Sequence, residues 1–168
     1  MAPEVLDRVR LSHHERPNVT PPPVFLVPVN YSCASKAALH LALLLAVPSK
    51  ARLVVVRIIP AQRRTGPGSR RSEGTSSIER ETERLQTFVD KFFSDATADA
   101  EHELVVAVDK APDRQIVELA IPHGAALIVL GASDDHLRER VFGSIVERTR
   151  RQAACPVVTI GARASARR

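Results

Sequence analysis

Aromatic residues are scarce in this sequence, which has five Phe, one Tyr and no Trp among 168 residues. Its hydrophobic core must therefore consist mainly of Val, Leu, Ile and Ala, as is typical of a sheet covered by helices on both faces. The scarcity also argues against nucleic acid as a partner, because proteins that bind single strands stack the bases on aromatic side chains. The length fits one globular domain with a core of its own.

Cysteines and long apolar runs are also few. Cys33 and Cys155 lie far apart and match no metal-binding spacing. With no segment resembling a signal peptide, they indicate a reducing, cytoplasmic setting. The longest apolar run, residues 37–47, is shorter than the roughly 20 residues that a membrane helix needs. The chain could still be the cytosolic part of a longer membrane protein.

Charge divides the chain into three parts. The net charge of +5 comes from 24 basic and 19 acidic residues, and much of the excess lies in residues 63–71 and in a basic tail, residues 162–168. Residues 1–23 are charged, end in three prolines and show no apolar periodicity, which predicts an arm or linker. The folded domain is therefore expected to span residues 24–161.

Within this domain, short apolar runs alternate with helical patterns. The predicted strands cover residues 24–29, 51–60, 103–108, 125–131 and 157–160. The predicted helices begin at Ser35, at a capping box of Ser76 and Glu79, at Asp113, and at Gly143 with Ser144. This order predicts an α/β fold with a parallel sheet and helices on both faces.

The second helix has the clearest pattern. Ile78, Leu85, Val89 and Phe92 recur at helical spacing and form one apolar stripe. We expect this helix to reach about Ala98.

Two loops are candidates for a ligand site. In an open parallel sheet, ligands bind beyond the carboxyl ends of the strands where the strand order reverses. If the first and fourth strands are neighbours, residues 28–32 and 131–144 meet at that point. Gly131 permits a sharp turn, and Gly143 and Ser144 would present free amides and a hydroxyl at a helix N-terminus. The pattern therefore predicts an anion site.

Four stretches resemble the universal stress protein family. They read FLVPVN at 25–30, SKAALHLALLLA at 35–46, IVELAIPHGAALIVLGAS at 116–133 and GSIVERTRRQAACPVVTIG at 143–161. The resemblance implies an open five-stranded sheet of strand order 3-2-1-4-5. It also implies a homodimer formed through the last strand, Val157 to Ile160, and a small nucleotide ligand such as ATP or AMP.

The ATP-binding members of that family carry a motif of G, two residues, G, nine residues, then G and S or T. Gly131 matches its first glycine, and Gly143 with Ser144 matches its end. Asp134 stands in place of the middle glycine, and the spacer that follows is one residue short. A carboxylate beside a triphosphate would cost roughly several kcal/mol unless a cation bridges the two.

Other positions of the nucleotide site follow from the same resemblance. Asn30 stands where members usually have Asp, and Ile58 and Leu130 map onto the adenine slot. The full set of nucleotide-binding residues implied for this chain is Pro28, Val29, Asn30, Ile58, Leu130, Gly131, Asp134, Gly143, Ser144 and Ile145.

Three arrangements would accommodate phosphates despite Asp134. The first is a clamp of arginines, from residues 138 and 140 or from residues 63–71. The second is Mg²⁺ held by Asp134 and Asp135, and the third is a less charged nucleotide. A plain solvated loop is the simpler interpretation of all these charged residues.

The sequence contains no motif that indicates an enzyme: HExxH, a Walker A lysine and a nucleophile elbow are all absent. We therefore expect at most weak ATP hydrolysis. The expected function is that of a universal stress protein-like regulatory domain, which binds an adenine nucleotide or related small anion weakly or conditionally and acts through dimerisation and partner interaction. The alternative is a cytoplasmic regulatory domain of a membrane transporter or channel, with an empty or altered pocket and the proline-rich arm as its tether.

Overall fold

The structure, a computed structural model, describes residues 21–61, 73–93, 100–132 and 139–161, without the side chains of 73–76 and 139–144. Within these residues five strands alternate with four helices, as the sequence predicts. The elements are β1 (Val24–Pro28), α1 (Cys33–Ser49), β2 (Arg52–Pro60), α2 (Glu73–Asp90), β3 (His102–Asp109), α3 (Pro112–Ala120), β4 (Ala125–Ala132), α4 (Glu139–Gln152) and β5 (Val157–Gly161).

The strands form one parallel sheet in the order β3-β2-β1-β4-β5. Leu26 in the central strand pairs with Val54 of β2 on one side and with Ile128 of β4 on the other. The chain therefore winds outward from β1 in both directions, and the order reverses between β1 and β4. The α/β fold and the strand order predicted from the sequence are confirmed.

Helices cover both faces of the sheet, so side chains that alternate along each strand enter two separate cores. One core lies beneath α1 and α2 and includes Val27, Val55, Val129, Leu39 and Leu85. The other lies beneath α3 and α4 and includes Leu26, Val54, Ile128, Ile116 and Ile145. Burial on both faces explains why the strands are continuous apolar runs.

Helix α1 begins three residues earlier than predicted. Ser32, not Ser35, is the N-cap, because its hydroxyl oxygen accepts the amide N–H of Ser35 at 3.1 Å. Ser35 lies inside the first turn, is buried, and donates its own hydroxyl to the Ser32 carbonyl at 3.0 Å. The two serines are equivalent as capping residues, and the turn that follows β1 selects the earlier one.

Helix α2 also departs from its predicted ends. It begins at Glu73, three residues before Ser76, so Ser76 is not its N-cap. It ends at Asp90 and not near Ala98, because the chain turns where Phe92 N donates to the Val89 carbonyl. Residues 94–99 lie outside the described residues. Of the predicted stripe, Leu85 and Val89 are fully buried, whereas Ile78 is 39% exposed.

The last two helices begin before their predicted first residues. Ala111 is the N-cap of α3 and Pro112 its first residue, so Asp113 lies in the first turn and is not the cap. Helix α4 begins at Glu139, four residues before Gly143. Gly143 therefore lies inside the helix, where a glycine is tolerated at a modest cost in stability. No helix within the described ranges is long and apolar enough to cross a membrane.

Candidate functional site

A cavity of about 210 Å³ lies at the carboxyl ends of β1, β2 and β4, where the strand order reverses. Its walls are mostly apolar, and the side chains of α3 and α4 close it from one face of the sheet. The lining residues are Pro28, Val29, Asn30, Ser35, Val56, Arg57, Ile58, Pro60, Pro112, Ile116, Leu130, Gly131, Ile145 and Val146.

Seven of the ten site residues predicted from the sequence line this cavity together. They are Pro28, Val29, Asn30, Ile58, Leu130, Gly131 and Ile145. Asp134 lies outside the described residues. Gly143 and Ser144 lie within α4, past its first turn. They are among the residues of which the structure describes only the backbone. The first four amides of a helix are the free ones, so a helix that starts at Glu139 leaves the amides of residues 143 and 144 to intrahelical bonds.

Other lining residues are not evident from the motif. Val56 could have been found by alternation, because it lies two residues before Ile58 and faces the same side of β2. Pro112 and Ile116 come from α3, which carries none of the predicted residues. Only the packing of α3 against the sheet brings them to the site.

Gly131 has a structural role that the motif does not reveal. A Cβ atom at this position would lie 2.4 Å from the carbonyl carbon and oxygen of Ala34 and 2.6 Å from the amide nitrogen of Ser35. The space beside the glycine is therefore occupied by the backbone of α1. Its presence is explained by helix packing, independently of any ligand.

Asn30 and Tyr31 form a tight turn between β1 and α1. The Asn30 side-chain oxygen Oδ1 accepts the Ser32 amide at 3.2 Å. Tyr31 has a φ of 64°, in the left-handed region, which costs a non-glycine residue about 1–2 kcal/mol. Asn30 is thus held in the cavity wall by a strained local turn.

Arg57 lines the cavity, but its guanidinium does not face it. Nε donates to Oε1 of Glu81 in α2 at 2.7 Å, and Nη1 donates to the Ile58 carbonyl at 3.1 Å. Since α2 covers the face of the sheet opposite α3 and α4, this positive charge is directed away from the cavity.

Tyr31 lies in a cluster with Glu81, Arg57 and Arg84 on the face of the sheet that α2 covers. Its hydroxyl donates to Oε1 of Glu81 at 2.8 Å, and the Arg84 guanidinium lies 4.2 Å from the ring centroid. Burial, with the Glu81 hydrogen bond, raises the pKa of Tyr31 to about 12. Burial opposes the charge on Glu81, but the hydrogen bonds from Arg57 and Tyr31 and the nearby arginine charges outweigh it and lower the pKa of that carboxyl.

An ion pair joins the two helices that close the cavity. Asp113 of α3 is 6% exposed, and its Oδ2 lies 3.2 Å from Nε of Arg148 in α4. Pro112 and Ile116 flank this carboxylate, and Ile145 and Val146 precede the arginine. The ion pair therefore helps to fix the position of α3 relative to α4, the two helices that line the cavity.

Metal ligands are not clustered in the described part of the chain, where no three His, Cys, Asp or Glu side chains could hold an ion together. Asp134 and Asp135, predicted as a possible Mg²⁺ pair, lie outside the described residues, as do the arginines at 63, 64, 70, 71 and 138.

Fold and cavity together define an open α/β domain with a small apolar site at its topological switch point. Residues 24–161 match the universal stress protein family. The chain belongs to that family, and the matched range includes all nine secondary-structure elements. No curated protein matches the chain in sequence.

Solved structures of the family share this fold. A universal stress protein family member from Burkholderia pseudomallei is 25% identical, with a TM-score of 0.65 over 84% of this chain and 97% of that one. UspA from Lactobacillus plantarum is 22% identical, with a TM-score of 0.61 over 84% and 99%. A universal stress protein from Archaeoglobus fulgidus in complex with dAMP is 22% identical, with a TM-score of 0.56 over 82% and 96%.

Proposed function

We propose that this chain binds an adenine nucleotide or a related small anion, weakly or conditionally, with the base in the cavity and the phosphates toward the segment between Gly131 and the start of α4. The observation that carries the proposal is the convergence of Asn30, Ile58 and Leu130 on one apolar cavity from the ends of three strands. Its volume of about 210 Å³ is below the roughly 300–1,000 Å³ of pockets that enclose drug-sized ligands. A cavity of this size suits a base better than a whole nucleotide.

The ligands of related proteins support an adenine base. Solved universal stress proteins hold dAMP, cAMP or AMP. Leu130 and Ile58 are mostly buried apolar side chains, and Asn30 offers amide groups that can hydrogen-bond a ribose or a base. These lining residues and the ligands of the related structures together support the proposed ligand class.

Charge is the reason for expecting weak or conditional binding. Arg57 is paired with Glu81 and directed away from the cavity, and Asp134 adds a negative charge to the loop proposed for the phosphates. We propose that Mg²⁺ bridging Asp134 and Asp135 to the phosphates, or a ligand with fewer charges than ATP, relieves this repulsion. Binding of ATP should then be stronger with Mg²⁺ than without it.

Calorimetric titration with ATP, AMP and cyclic dinucleotides, each with and without Mg²⁺, tests the proposal. We expect AMP or Mg·ATP to give a binding isotherm and a thermal shift. Ile145→Trp, which fills the cavity, should abolish both signals, whereas Ile78→Trp on the outer side of α2 should leave them unchanged. Absence of binding by every nucleotide would refute the proposal.

Asp134→Gly separates the effect of the Asp134 carboxylate from the other two departures from the family pattern. If the carboxylate is the obstacle, this variant should bind ATP about tenfold or more tightly than the natural chain. An unchanged affinity would assign the defect to the shortened spacer or to Asn30.

The action that we propose is regulatory, through a homodimer and a partner protein, and not catalytic. β5 lies at one edge of the sheet and exposes Val158, and an unpaired edge strand favours pairing with a second copy. Incubation with Mg·ATP followed by chromatography of the nucleotides tests whether the chain hydrolyses ATP. Turnover well above the background rate would contradict it.

A second function, as a regulatory domain of a transporter or channel, is supported by α1. Leu44 is 58% exposed, Leu45 39% and Val47 44%, so one side of this helix offers apolar contacts to another protein segment. The coding sequence upstream of Met1 distinguishes the two functions. An in-frame segment of about 20 apolar residues would favour the transporter, and a stop codon there would favour the free regulatory domain.

A further inference from the structure

Glu81 of α2 links the two chain segments that frame the cavity. Its Oε1 accepts the Tyr31 hydroxyl at 2.8 Å and Arg57 Nε at 2.7 Å. Tyr31 directly follows the residues at the end of β1, and Arg57 lies near the end of β2. The side chains of Glu81 and Arg57 are only 16% and 19% exposed. One shielded carboxylate thus connects the ends of two neighbouring strands.

The Tyr31 ring is held from other directions as well. Arg84 lies over its face at 4.2 Å from the centroid, and the Phe88 ring meets it edge-on at a centroid distance of 5.1 Å. These contacts hold the side chain of a residue whose φ is 64°, a conformation that bulky residues rarely adopt. Such strain persists where surrounding contacts enforce it.

The strained turn at Tyr31 fixes the position of Asn30 before it and of Ser32 after it. Asn30, on one side, lines the cavity and bonds the Ser32 amide through Oδ1. Ser32, on the other, is the N-cap of α1 and accepts the Ser35 amide. Loss of the left-handed conformation at residue 31 would therefore move Asn30 and loosen the first turn of α1 together.

We propose that Glu81 and Tyr31 are positioning residues, whose hydrogen bond holds the turn at residue 31 and so sets the place of Asn30 at the cavity. The effect on ligand affinity rests on the proposed nucleotide function. Because Glu81 belongs to α2 and the cavity lies on the opposite face of the sheet, this contact couples α2 to the site. A change in the position of α2 is thereby transmitted to Asn30.

Amide hydrogen exchange in the free protein tests the positioning directly. Glu81→Gln and Tyr31→Phe each weaken or remove the hydrogen bond while keeping the side-chain shape. We expect the Ser32 and Ser35 amides to exchange about tenfold faster in both variants, in keeping with the loss of one net hydrogen bond. The core amide of Val54 and the whole pattern of the exposed control Glu83→Gln should stay as in the natural chain. Unchanged exchange at Ser32 and Ser35 would overturn the proposal.

AMP titration of the same variants measures the consequence for binding. We expect affinity to fall about three- to tenfold in Glu81→Gln and Tyr31→Phe, and not in Glu83→Gln. Faster exchange with unchanged AMP affinity would overturn the positioning of Asn30 for the ligand. If the natural chain binds no nucleotide, the proposed function fails, while the exchange data still uphold or overturn the role of the Glu81–Tyr31 contact in holding the turn.

Discussion

Gly131 of β4 and Ala34 of α1 meet backbone against backbone: a Cβ atom at residue 131 would lie 2.4 Å from the Ala34 carbonyl carbon and oxygen. Neither a strand within a sheet nor the first turn of a helix packed against that sheet can shift easily to make room. This contact places the start of α1, and with it Ser35, against the cavity.

Gly131→Ala should therefore destabilise the fold by about 1–3 kcal/mol or more in urea unfolding, because the added methyl meets backbone atoms. Gly124→Asn is the matched control. Its φ of 60° is tolerated by Asn, and among the described residues no heavy atom lies within 4 Å of a Cβ built there. Equal stability of the two variants would contradict the packing role of Gly131.

Tyr31 is the only tyrosine of a chain without tryptophan, so its ionisation can be followed by absorbance without interference. Its pKa is raised from 10.0 to about 12, which means that the folded state favours the neutral hydroxyl. The resulting stabilisation is complete below pH 10.0 and is lost as the pH rises to about 12.

We expect the phenolate absorbance of the folded protein to appear well above pH 10.0, and Glu81→Gln to move the midpoint down toward that value. Circular dichroism at each pH shows whether the chain is still folded. A midpoint near 10.0 in the folded natural chain would contradict the burial of the Tyr31 hydroxyl together with its contact with Glu81.

The ion pair between α3 and α4 offers a third prediction. Asp113 is 6% exposed, so Asp113→Asn should cost about 1–3 kcal/mol of unfolding free energy and loosen the cavity wall. Glu118→Gln, on the same helix, breaks an exposed pair with Arg114 and should leave the unfolding free energy nearly unchanged. Similar losses in the two variants would argue against a special role for the buried carboxylate.

The proposed dimer can be tested at the two edges of the sheet. Val158 of β5 is 37% exposed and Val108 of β3 is 49% exposed. Val158→Lys places a charge on the proposed interface and should shift the mass measured by light scattering from dimer to monomer, whereas Val108→Lys should leave it unchanged. A natural chain that is monomeric at high concentration, or a dimer that only Val108→Lys disrupts, would contradict pairing through β5.

The sequence predicted the order and type of all nine elements but not where the helices begin. Ser32 and Ser35 are both good capping residues, and local preference does not choose between them. The turn at Tyr31 makes that choice, and its conformation depends on contacts with Glu81, which lies 50 residues away along the chain. At α4, the residues before Gly143 continue the helix, so the glycine that looks like a helix start lies inside it.

What the sequence determined by itself is the alternation of strands and helices, because apolar periodicity is a local property of the chain. The resemblance to a family added the strand order and pointed to Ile58, Leu130 and Ile145, which line the cavity together with four residues of the two loops predicted from the pattern. Only the tertiary structure decided that the room beside Gly131 is filled by α1, that Arg57 is directed to Glu81 and away from the cavity, and that α3 completes the wall. These outcomes depend on contacts between residues distant in the chain, and such contacts form only when the sheet brings its two helical layers into place.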